Sequence, residues 1–102
     1  QFKPFLEWAY IQLPMQVVDR IEACIEEGDI TGIWGYLLEF FDSVNIVLET
    51  DPHCTGVDLW IWEHDKKENT FEKLFHEVTD LKRPQAMIRI TDKAFEILKN
   101  KK

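Results

Sequence analysis

The spacing of apolar residues changes character at Asp42-Ser43, and that switch constrains the fold more than any other feature of the chain. Upstream, apolar side chains recur at three- and four-residue intervals, the period of a helix face; just downstream they alternate, the period of a strand. A chain that keeps the two periods apart in this way reads as α+β. At 102 residues it is a single α+β domain over 1–102, long enough to bury roughly two thirds of its unfolded surface without a metal or disulfide.

Pro4–Leu13 reads as a helix that Pro14 ends, with Phe5, Leu6, Ala9 and Leu13 on one face. A strand is its rival, because Leu6, Trp8 and Tyr10 alternate with Glu7, Ala9 and Ile11 without a clean polar side. Pro14–Glu27 is the plainest helix: Val17, Val18, Ile21, Cys24 and Ile25 form its stripe, and Gly28 supplies a stop. Ile33–Phe41 is apolar nearly all round and is expected at the centre of the core, with Trp8 and Trp34 beside it. Val44, Ile46 and Leu48, then Val57, Leu59 and Ile61, flank the turn-like Asp51-Pro52-His53-Cys54-Thr55-Gly56 and predict a β-hairpin.

Further on, Asn69 followed by Glu72 has the form of a capping box, and Phe71, Leu74, Phe75 and Val78 are spaced as a helix to about Leu81. Pro84 closes a turn, Gln85–Ile90 reads as a third strand, and Thr91 or Asp92 caps a last helix with Ala94, Phe95 and Leu98 inward. The sum is a mainly helical domain with a hairpin and a third strand. A winged-helix-like C-terminal part is the alternative.

Charge is divided along the chain. Gln1 to Asp65 holds thirteen acidic residues against two basic ones, a formal net of −11, whereas Lys66 to Lys102 holds six against ten, a net of +4. If folding keeps these regions apart, one face attracts cationic partners and repels phosphate backbones, so direct nucleic-acid binding is not expected. The longest uncharged run, Trp8 to Val18, has eleven residues, and Ile30 to Leu38 has nine, where a bilayer span needs about 20, so no membrane contact is expected. Two cysteines, Cys24 and Cys54, form neither a disulfide framework nor a CxxC pair, which favours a reducing, cytoplasmic setting.

Enzyme signatures are weak. Ser43, the one serine, has no nucleophile-elbow context, and Cys24 falls on an apolar helix face. Gly28–Gly35 reads GDITGIWG, which lacks the glycine spacing of a phosphate cradle. His53, Cys54 and His64 would form a metal site only if folding gathered them across the hairpin, so no metal and no cofactor is assigned.

The remaining signal is an acidic surface with aromatic anchors, which suits recognition of a basic protein surface by an inhibitor, an antitoxin or immunity protein, or a regulatory adaptor. A nuclease or other nucleic-acid-binding protein is the partner type, because carboxylates can stand where phosphates bind. The charged contribution is placed on Glu22, Glu26, Glu27, Asp29, Glu49, Asp51, Asp58, Glu63 and Asp65, with Tyr36, Trp60 and Trp62 as anchors, although Trp60 and Trp62 are otherwise expected under a helix in a two-layer core. The alternatives are a subunit of a homo- or hetero-oligomer and a small hydrolase built on carboxylates or histidines.

Overall fold

The computed structural model describes residues 2–101. They form four α-helices and a three-stranded antiparallel sheet of order β1-β2-β3, a small α+β domain. Helix α1 spans Lys3–Gln12 and stops where Leu13, the residue before Pro14, is forced into extended backbone. Helix α2 spans Met15–Glu27 and ends on Gly28 at φ 74°, with the amides of Gly28 and Asp29 returning to the carbonyls of Ile25 and Cys24. A 3-10 turn over Thr31–Ile33 leads into α3, Trp34–Ser43, and Asn45 at φ 66° turns the chain into the sheet.

Strands β1 (Ile46–His53) and β2 (Gly56–Asp65) make the expected hairpin, joined through Cys54-Thr55. A Cβ on Gly56 would run into the carbonyl oxygen of Thr79, so the chain needs glycine at this close approach. Strand β3, Thr70–Thr79, occupies the stretch whose spacing reads as a helix. The reason is a bulge: the β2–β3 register shifts at Ile61/Trp62, so Leu74 and Phe75 both turn toward the core while Phe71 and Val78 stay on the other face. Apolar residues at 71, 74, 75 and 78 thus imitate a helical stripe. Asn69 caps no helix; at φ 54° it closes the β2–β3 turn, where Asp65 accepts the amides of Lys67 and Glu68.

The third strand is therefore 70–79, and Gln85–Ile90 is not a strand but the first part of α4, Arg83–Asn100. Pro84 lies in the first turn of that helix, a position proline tolerates, so it starts the helix rather than closing a turn before it. Thr91 and Asp92 lie inside α4 and cap nothing. A single helix after the last strand also removes the winged-helix alternative.

The core lies between the inner sheet face and the helices. Ile46, Leu48, Val57, Leu59 and Ile61 meet Leu37 and Phe41 of α3 and Met87, Ile90, Ala94 and Phe95 of α4, while Phe5 and Ala9 of α1 pack from beyond. Helices α3 and α4 touch the sheet, and α2 packs on α1 and the 3-10 turn. Trp8 and Trp34 sit half-buried at the margin of this core, Trp8 stacked on Phe5 at 6.0 Å. Since all helices lie on one side, the other sheet face is left uncovered.

Candidate functional site: the open face of the sheet

Strand alternation decides what that face presents. Val47, Glu49, Asp51 and His53 of β1, Asp58, Trp60, Trp62 and His64 of β2, and Phe71, Lys73, His76 and Val78 of β3 alternate with the core-facing residues. All three histidines of the chain are therefore on this one surface.

Aromatic rings organise its centre. The His76 imidazole lies 3.7 Å from the Trp60 ring at 15°, and Trp60 lies 5.3 Å from Trp62 at 11°, giving a run of parallel rings. Farther along, His64 stacks on Phe71 at 4.4 Å. The indoles are half-buried by these neighbours rather than lying under a helix. Cross-strand aromatic pairing stabilises a sheet in its own right. It leaves unexplained why Phe71 and Val78, 55% and 59% exposed, remain in water beside the stack.

Two carboxylates border the rings. The Trp62 indole N–H donates to Glu49 Oε1 at 3.2 Å, which fixes that carboxylate at the edge of a shallow depression lined by Val47, Trp62 and Phe71. Asp58 sits between two imidazoles, with Oδ1 3.3 Å from His76 Nε2 and Oδ2 3.6 Å from His53 Nε2. The Thr55 amide donates to His53 Nδ1, so a neutral His53 carries its proton on Nε2, facing Asp58. Asp51 stands directly opposite Asp58 in the ladder, a like-charge pairing that costs stability unless a cation offsets it.

Folding brings together Glu49, Asp51, Asp58, Trp60 and Trp62 of the residues expected at the site. It separates the others. Glu22, Glu26, Glu27 and Asp29 are exposed on α2 and just after it, on the helical side of the molecule, and Tyr36 of α3 is half-buried against the core. Glu63 points to the helical side and pairs with Lys101, while Asp65 is occupied in its turn. The acids of the first two thirds are thus divided between two surfaces, and Glu63 and Asp42 meet lysines from the final third.

His53, which the sequence offers only as a metal ligand, and His76, which it does not offer at all, both belong to the site. His76 was hidden by the helical reading of β3, because the bulge at Leu74-Phe75 breaks the alternation that would have marked a strand. His64 is at the far end of β2 from His53, so the grouping His53, Cys54 and His64 does not form. Among the described residues no cluster of three or more His, Cys, Asp or Glu side chains is placed to hold a metal ion. None of the described helices is long and apolar enough to cross a membrane. Compared with protein-family models, curated proteins and solved structures, the chain matches none of them.

Proposed function

We propose that this domain recognises a basic protein surface through the open face of its sheet, acting in the cytoplasm as an inhibitor, an antitoxin or immunity protein, or a regulatory adaptor. The observation that carries this reading is the ring stack His76, Trp60 and Trp62, bordered by Glu49 and Asp58 on the sheet face that no helix covers. Indoles concentrate binding energy where neighbours exclude water, and their faces attract ammonium and guanidinium groups. Glu49 and Asp58 have an indole and imidazoles as partners, not lysine or arginine, so their charge is available to an incoming cation. The α2 acids act at longer range, adding to the net charge of −7 that speeds encounter.

The test is capture of a basic protein by the immobilised domain from native extract at low salt, with variants in parallel. Trp62→Ala and Glu49→Gln should each lose that protein, and Glu22→Gln should keep it. Capture that survives Trp62→Ala with Glu49→Gln, or that yields only a second copy of this chain retained at high salt, would replace this reading with that of an oligomer subunit.

A further inference from the structure

The open face of the sheet carries two separate ring stacks, and its shallow depression lies where they meet. His76, Trp60 and Trp62 form one stack, and His64 with Phe71 forms the other. Of these five rings the depression is lined by two, Trp62 and Phe71, one from each stack, with Val47, Leu48 and Glu49 closing it on the β1 side. Trp60 is the one ring stacked on Trp62 among the described residues, so one face of that indole has no ring against it. Glu49 is exposed, yet its carboxylate is oriented, because the Trp62 indole N–H holds Oε1 and leaves Oε2 without a partner among the described residues. Lys73, the one lysine or arginine among the described residues of this face, lies opposite Trp62 on the β3 side, which leaves the β1 side beside Glu49 as the approach for an incoming cation. The aromatic walls and the oriented anion are independent features, and a planar cation satisfies both.

Resting on the protein-binding reading above, we infer that this depression takes one arginine side chain of the basic partner, its guanidinium against the Trp62 and Phe71 rings and donating to Glu49. A guanidinium is flat, weakly hydrated and carries five N–H donors, so it can stack on a ring and bond a carboxylate in the same pose. Its fork matches the two oxygens of the Glu49 carboxylate. A lysine ammonium meets the same carboxylate only as a point charge, and in an open depression it keeps its water rather than give it up to the rings. Arginine is therefore preferred over lysine at this position, and a neutral side chain of the same shape is not accepted.

Capped Gly-Arg-Gly, Gly-Lys-Gly and Gly-citrulline-Gly, titrated into the whole domain and followed by the Trp62 indole N–H and the Phe71 ring signals, test the assignment. The arginine peptide is expected to shift both saturably, the lysine peptide to bind at least about threefold more weakly, and the citrulline peptide not to bind. Glu49→Gln keeps an oxygen for the indole N–H while removing the charge, and should weaken the arginine peptide about tenfold. Phe71→Ala, at an exposed position, should weaken it about two- to fivefold, and Glu22→Gln should leave it unchanged. Equal binding of the arginine and lysine peptides, no saturable shift at Trp62 and Phe71, or an arginine affinity indifferent to Glu49→Gln would overturn the assignment. Where any of these occurs while capture of a basic protein still depends on Trp62, the arginine assignment alone falls; absence of Trp62-dependent capture overturns the reading on which it rests.

Discussion

Two glycines hold turns for different physical reasons, and substitution separates them. Gly28 needs its left-handed backbone but has open space around it, so Gly28→Ala should cost about 1 kcal/mol in urea unfolding. Gly56 is limited by the Thr79 carbonyl, so Gly56→Ala must push two strands apart and should cost about 1–3 kcal/mol. Equal effects at the two sites would contradict the close approach of β2 and β3. Asp58 makes a sharper case. Asp58→Asn relieves the repulsion with Asp51 while giving up the charge facing His53 and His76, so stability should stay within about 1 kcal/mol of the parent as partner binding falls. A large loss of stability would make Asp58 a structural residue instead.

At the scale of elements, helix α4 is tied to the edge strand β3 by Arg89, whose guanidinium donates to both carboxylate oxygens of Glu77 at 2.8 and 2.9 Å. That hydrogen bonding holds the Glu77 carboxyl below its usual 4.5, outweighing the partial burial that raises it. Because the folded value lies below the unfolded one, the tie is fully present above about 4.5 and is lost as pH falls through the folded value. Unfolding followed from neutral to acid pH should show this loss, and Glu77→Gln should remove that component; an unchanged acid limb would contradict it. Helix α2 and the hairpin were legible because Val17 to Ile25 keep the helical spacing and the runs Ile46–Leu48 and Val57–Ile61 on either side of the turn keep the alternation. The strand at 70–79 was not, because its bulge shifts the alternation by one residue at Leu74-Phe75. The first part of α4 reads as a strand because Ile88, Ile90 and Thr91 are β-branched and follow Pro84, although Ala86, Met87, Ile90, Ala94 and Phe95 already mark a single continuous helical face. Half the site was legible as well, since hairpin alternation alone places Trp60, Trp62, Glu49 and Asp58 together.

For the whole molecule, the charge division seen along the chain is remixed in space. Lys66 and Lys101 return to Asp42 and Glu63, and the α2 acids are carried to the helical side. What persists is a smaller acidic border around an exposed aromatic surface, together with a net charge of −7 acting at a distance. These two contributions affect different rate constants: the long-range field sets association, and the indoles set dissociation. The most direct measurement is the binding kinetics of the captured basic partner with the parent and Trp62→Ala domains, between about 50 and 500 mM salt, a range over which exposed charge attraction is screened. Recognition through the open face requires association to slow about tenfold or more across that range for both proteins, and Trp62→Ala to dissociate faster at every salt concentration. Association indifferent to salt, together with dissociation indifferent to Trp62, would contradict it.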